Sequence, residues 1–330
     1  MTLRKFLLFL LLIILATAGY ISFGLLWKAN PGGEKFVLLR PGSSTRHIAR
    51  QLRQEGVIAS APAFLLLHYW RPVALKAGEY RFDHPANALE VYDRLARGDI
   101  YVHTVVIPEG YNTWDIGLAM QQAGICSQQE FVQAARSQAS LIADLDPGAA
   151  SLEGYLFPDT YQFTRTQSLP EMISTMVHRF RQEARKIGLV SGADAHRVVT
   201  MASIVEKETA AREERPLVAS VYYNRLARNM QLGADPTVIY AALVENRYRG
   251  AIHQSDLASD SPYNTYRHVG LPPGPIANPG HDSLVAALQP AQSEYLYFVS
   301  DNNGHHRFAR SAAEHERNVL AYRHAVTNGH

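Results

Sequence analysis

The sequence predicts an α+β chain: an N-terminal transmembrane helix, then small α/β modules, then a larger mixed α+β domain. Three observations lead there. Phe6 to Trp27 is almost wholly apolar, long enough to cross a hydrocarbon core that needs about 20 helical residues. Val37 to Val57 aligns without gaps to Val105 to Ile125. From Ser151 onward, helical patterns alternate with loops dense in Gly, Pro, Asn and Tyr. The chain has 330 residues, 47% hydrophobic and 19% charged, room for two domains with cores of their own. The expected divisions are a cytoplasmic N-terminus at 1–5, the anchor at 6–27, a linker at 28–35, the repeat-bearing region at 36–145 and the main domain at 146–330.

Arg4 and Lys5 precede the apolar run, which places the N-terminus in the cytoplasm and sends the rest outward. Ala16-Thr17-Ala18 resembles a small-residue cleavage site, so a removed signal peptide is the competing reading. The apolar run continues past that site to Leu25, Leu26 and Trp27, which favours the anchor. Both readings export the protein.

In the repeat, Gly42 matches Gly110, Thr45 matches Thr113, Ile48 matches Ile116, Leu52 matches Met120 and Gly56 matches Gly124. Each copy reads as a short strand, a glycine turn, a polar cap and an amphipathic helix closed by glycine. Between the copies lie a strand over Ala77 to Phe82 and a helix from Leu89 to Arg97. This pattern resembles LysM-type modules, which bind polymers of N-acetylglucosamine; a structural spacer is the alternative.

The main domain centres on Ala195 to Ala210. On a helical wheel Val198, Val199, Met201, Ala202 and Val205 fill one arc that demands burial. Glu206 points into that arc with no Lys or Arg three or four residues away, whereas Glu208 points elsewhere and has Arg212 four residues on. A carboxyl group in an apolar setting without a cation favours its protonated form, as a general acid must. The alternative role for Glu206 is to accept backbone N–H bonds from a neighbouring loop.

Around this helix, Ser151 to Tyr161 brings aromatics together with Glu153 and Asp159, a sugar wall or a packed turn. Leu169 to Ile187 reads as a helix, Pro216 opens another through Arg228, and Asp235 is placed to cap a helix beginning at Pro236. Tyr295 to Val299 reads as a strand, Asp301 to Gly304 as a turn and Glu314 to Ala325 as a closing helix.

The formal net charge of +2, with no basic run interleaved with aromatics, gives no footprint for nucleic acid, which is not an expected partner. The single cysteine, Cys126, excludes an intrachain disulfide and a multi-cysteine zinc site. His305, His306 and His315 match no usual ligand spacing, so neither metal nor cofactor is expected. Motifs of zinc proteases, serine hydrolases, P-loops and dinucleotide folds do not occur.

Ala202 to Thr209 around Glu206, together with Glu153 to Thr160, Asp235 to Tyr240, Tyr263 to Tyr266 and Gly270 to Gly274, resembles the YceG-like (MltG) family of endolytic murein transglycosylases. Several separate strings in order, over nearly the whole chain, carry the resemblance. It implies a YceG-like catalytic domain that cleaves nascent peptidoglycan strands internally, between MurNAc and GlcNAc, leaving 1,6-anhydroMurNAc ends and limiting strand length. It puts the catalytic glutamate on Glu206. Candidates for holding the sugars are Glu153, Tyr161, Ser203, Asp235, Tyr263, Asn264 and Tyr266. The short stretch before Phe6 is similar to the family's Gram-negative form, which implies an inner-membrane protein with a periplasmic catalytic domain and peptidoglycan synthases (penicillin-binding proteins) as partners. A non-catalytic scaffold, or a hydrolase using Glu153 or Asp235 as a second carboxylate, are the alternatives.

Overall fold

The structure is a computed structural model and describes residues 3–190 and 193–328; the first two residues of the expected cytoplasmic segment lie outside it. Its chain divides into two compact units, residues 1–104 with 162–168, and residues 105–161 with 169–330.

The first unit holds helix α1 (Leu3–Leu26), strand β1 (Lys35–Leu39), helices α2 (Thr45–Gln54) and α3 (Ala61–Trp70), strand β2 (Gly78–Phe82) and helix α4 (Ala88–Arg97). Strands β1 and β2 pair antiparallel, Val37 opposite Tyr80. Their inward faces close over Ile48, Leu52, Phe64, Val91 and Leu95, all buried. Helix α2 begins where the Ser44 side chain accepts from the His47 N–H, and Asn87 forms a reciprocal cap with Glu90 at α4. Helix α1 is a candidate membrane span of mean hydropathy 2.5. Its C-terminal end rests on α3, where a Cβ on Gly24 would lie 2.7 Å from those of Ser60 and Ala63.

Strand β3 (His103–Val106) pairs with strand β4 (Thr160–Phe163), and between them in sequence lie helices α5 (Thr113–Gln122) and α6 (Gln128–Ser137). Asn112 caps α5 reciprocally with Asp115. The second copy of the repeat thus has the local form of the first: strand, left-handed glycine at 110 as at 42, capped helix, and left-handed glycine at 124 as at 56.

The rest of the second unit is helical: α7 (Leu169–Lys186), α8 (Ala193–Glu208), α9 (Arg215–Ala227), α10 (Asp235–Val244), the short α11 (Gln254–Leu257) and α12 (His281–Leu288). The hairpin of β5 (Tyr297–Ser300) and β6 (His306–Ala309) follows, then α13 (Ala312–Asn328). Helix α8 is the axis of this unit and packs on α9, α10 and α12. Val199, Met201, Ala202, Ile204 and Val205 are fully buried, as the apolar arc of the wheel, which Ile204 widens, requires.

One local expectation fails. Asp235 does not cap α10, because it is already the helix's first residue and the cap position is Ala234. The Asp235 side chain instead accepts from the Tyr266 hydroxyl at 2.7 Å.

Candidate active site

Helix α8 ends at Glu208, and the Thr209 hydroxyl accepts from the Ala211 N–H to start a turn. A short 3-10 segment, Arg212–Glu214, then leads directly into α9, whose second residue is Pro216. This reversal carries Arg215 back against Glu206. The Glu206 side chain is 4% exposed and that of Arg215 is 5% exposed. Arg215 Nη2 donates to Glu206 Oε1 at 2.9 Å, and the Gly280 N–H, just before α12, donates to Glu206 Oε2 at 2.9 Å. A second carboxylate, Glu109, stands with Oε2 at 3.7 Å from Arg215 Nη1.

Glu109, Glu206 and Arg215 line an open cavity of about 420 Å³ with Gly110, Lys207, Glu208 and Arg212. Lys207 Nζ donates to the Gly110 carbonyl at 3.2 Å. Glu109 lies so close to Gly280 that a Cβ there would meet its Oε1 at 2.0 Å.

The structure corrects the sequence's picture of both glutamates. Glu206 is buried as its position on the wheel requires, but not without a cation: Arg215 reaches it across the turn, nine residues on and outside the helical neighbourhood that periodicity surveys. Nor is Glu208 a surface partner of Arg212. Burial pushes its carboxyl up to about 7, opposed by a hydrogen bond with Tyr222, reinforced by the charge of Asp235 and opposed by that of Arg225. Arg212 instead stands 3.4 Å from Asp282.

The remaining candidates fall into two groups. Glu153 is buried, accepting on Oε2 from the Thr113 N–H (3.1 Å), the Thr113 hydroxyl (2.9 Å) and the Tyr240 hydroxyl (3.2 Å), and on Oε1 from Asn278 Nδ2 (2.9 Å). Burial outweighs these bonds and pushes its carboxyl up to about 7. Ser203 is fully buried, donating to the Thr200 carbonyl and accepting from the Ile276 N–H. Asn264 is fully buried, its amide donating to the Leu257 and Ser259 carbonyls. Tyr161 is buried and donates to the Phe157 carbonyl. These four tie loops together, and none of them lines the cavity at Glu206.

The second group is open. Asp235 and Tyr266 are exposed and line another cavity of about 420 Å³ with Tyr222, Arg225 and Tyr297. Glu208 lines both cavities. Tyr263 is half-buried, its ring 4.9 Å from that of Tyr240.

His306 pairs with Glu214 at 2.7 Å and His315 stacks on Tyr297. Among the described residues no group of three or more His, Cys, Asp or Glu is placed to hold a metal ion. Burial and the neighbouring Glu130 push the Cys126 thiol up to about 11.

Sequence reasoning missed Glu109, Arg215 and Gly280. One signal was available for Glu109: in the gapless alignment it replaces Pro41 immediately before the matched turn glycine, a charge introduced where the copies otherwise need only a turn.

Comparison with known proteins agrees with this architecture. Residues 37–321 match the model of the YceG-like family. A Bacillus subtilis (strain 168) protein named endolytic murein transglycosylase is 33% identical over 300 residues, covering 84% of this chain and 81% of the relative. A protein of the same name from Streptococcus pneumoniae D39 is 29% identical; the alignment takes in 96% of this chain but 64% of that longer relative. The crystal structure of a yceG-like protein from Listeria monocytogenes, 32% identical, superposes with a TM-score of 0.56 over 86% of this chain and 98% of that one. With a family match spanning both units and relatives above 30% identity over most of their length, the chain belongs to the YceG-like family.

Proposed function

We propose that this protein is an endolytic murein transglycosylase, a lyase that cuts peptidoglycan glycan strands internally with Glu206 as its acid and base. The observation that carries the reading is Glu206 itself: a carboxyl group at an open cavity, fixed between a guanidinium and a backbone N–H, on a family member whose relatives bear that name. Protonated Glu206 gives its proton to the glycosidic oxygen as the bond from MurNAc C1 breaks. The carboxylate left behind removes the proton of the MurNAc C6 hydroxyl as that oxygen bonds to C1. The product ends are 1,6-anhydroMurNAc and a free GlcNAc hydroxyl, and no water is consumed. One carboxyl group serves both steps, whereas a hydrolase needs a second one for its nucleophile. Glu153, one of the two residues considered for that part, is engaged in a buried knot of four donors.

For the protein's place in the cell, the apolar helix α1 supports the reading of an inner-membrane anchor. As a single-pass anchor with Arg4 and Lys5 in the cytoplasm, it holds the catalytic domain in the periplasm, where nascent strands and the synthases that make them are its partners. The LysM-like region, residues 36–145, and the cavity at Asp235 and Tyr266 are the surfaces for holding glycan.

The test is mass spectrometry of glycan strands incubated with the protein, beside Glu206→Gln. Wild type is expected to release anhydro-terminated internal fragments, and the variant to lose roughly 100-fold or more of the rate. Reducing-end products would make the protein a hydrolase. Glycan binding by both proteins with cleavage by neither would make it a scaffold.

A further inference from the structure

The ion pair at the site poses a problem for a general acid. Both oxygens of Glu206 accept hydrogen bonds, from Arg215 Nη2 and from the Gly280 N–H, while the first proton transfer requires one of them to carry a proton. Arg215 is also under-satisfied. Its side chain is 5% exposed, yet Nε and Nη1 are buried without a hydrogen-bond partner, a condition buried donors rarely keep. Glu109 stands beside Nη1 at 3.7 Å, beyond hydrogen-bond length but within reach of a change of rotamer. Its side chain is 37% exposed and so has room to move.

Gly280 makes room for that neighbour. Its backbone (φ −78, ψ 179) suits any residue, so the glycine is not there for the conformation. A Cβ would occupy the position of the Glu109 carboxyl, at 2.0 Å from Oε1 and 2.2 Å from Cδ. The same residue's N–H holds Glu206 Oε2.

Resting on the transglycosylase reading, we propose that Arg215 is a positioning residue shared between two carboxylates, and that Glu109 takes the guanidinium whenever Glu206 carries its proton. The exchange keeps one guanidinium opposite one carboxylate throughout. When Glu206 delivers its proton to the leaving oxygen, Arg215 returns from Glu109 and stabilises the new anion; when Glu206 accepts the C6 hydroxyl proton, it swings back. Only the proton is transferred, and no bond to Arg215 or Glu109 forms or breaks. The other charged groups facing the cavity are Lys207, bonded to the Gly110 carbonyl, Arg212 beside Asp282, and Glu208, whose carboxyl burial pushes up to about 7. All of them remain in the variants below.

The experiment compares full-length wild type, Glu109→Gln, Arg215→Met and Gly280→Ala in two ways: release of anhydro ends against pH, and carboxyl NMR titration of Glu206 in protein labelled on glutamate, its resonance identified by its loss in Glu206→Gln. Glu109→Gln leaves Arg215 wholly to Glu206 and is expected to move the alkaline limb and the NMR midpoint down by roughly half a pH unit or more. Gly280→Ala, which expels the Glu109 carboxyl while keeping its charge nearby, is expected to move them in the same direction by less. Arg215→Met is expected to move them up. Glu109 is partly exposed, so its variant folds whatever becomes of Arg215→Met. An unchanged midpoint in Glu109→Gln, with only the rate reduced, overturns the exchange and makes Glu109 merely structural. A wild type that releases no anhydro ends overturns the enzymatic reading instead, and the NMR midpoints still decide the exchange.

Discussion

Glu153 shows what a polar residue in a glycine-rich loop is for in this domain. Four donors from three separate segments converge on it, and burial sets its carboxyl at about 7 against an ordinary 4.5. Between those values the folded state keeps a proton that the unfolded state has lost, so its contribution to stability is fully present below 4.5 and is lost as pH rises through about 7. The loss by pH 8 is roughly 3 kcal/mol. In Glu153→Gln the slope disappears, but an amide N–H₂ now faces donors, costing about 1–3 kcal/mol at every pH. Thermal midpoints of the two proteins between pH 4.5 and 8 check this, and parallel slopes would remove Glu153 as the cause. The same logic explains what was legible at this scale. Glu206 could be found because it is an acid on an apolar helical face. Arg215 could not, because a turn and not a helix brings it there. Ser203, Asn264 and Tyr161 look like sugar contacts in the sequence because it does not distinguish a polar side chain facing a cavity from one bonded to a backbone carbonyl.

Helices with a polar face and an apolar stripe were legible as elements: α4, α7 and α9 lie within one residue of the limits read from the sequence. Helix α3 was not, since its sequence, APAFLLLHYW, is apolar on nearly all sides and carries no period. The short β4 and β6 offer four residues each, too few for alternation to stand out. The loops that clamp α8 depend on close approach more than on composition. Gly154 has φ +88, and a Cβ on it would lie 2.6 Å from Pro275 and 2.9 Å from Val199 of α8. Gly154→Ala therefore combines backbone strain with overpacking, and is expected to destabilise the second unit by about 2–4 kcal/mol. Gly188→Ala, also at positive φ but with nothing within 4 Å of its Cβ, is expected to cost about 1 kcal/mol. Denaturant unfolding of both variants separates strain from packing: equal losses would mean that the loop contact on α8 contributes nothing.

For the whole molecule the deciding element is α1. Its 24 residues span about 36 Å, enough for a hydrocarbon core of about 30 Å. The small-residue triplet Ala16-Thr17-Ala18 lies inside this continuous helix. Beyond it the Tyr20 and Ser60 hydroxyls bond at 3.1 Å and Gly24 packs on α3. An anchored protein keeps every residue of α1, so the intact mass of protein extracted from membranes is expected to include Leu3 to Ala18; a chain beginning at Gly19 would make the segment a cleaved signal. Orientation needs a separate probe. Cys126 is a poor one, because burial pushes its thiol up to about 11 and leaves little reactive thiolate. In a Cys126→Ser background, Glu294→Cys places a thiol at a side chain 74% exposed. If the positive residues ahead of α1 hold the N-terminus in the cytoplasm, a membrane-impermeant maleimide labels this cysteine in cells whose inner membrane is intact. Labelling only after that membrane is broken would place the second unit in the cytoplasm, where no glycan strand could reach Glu206.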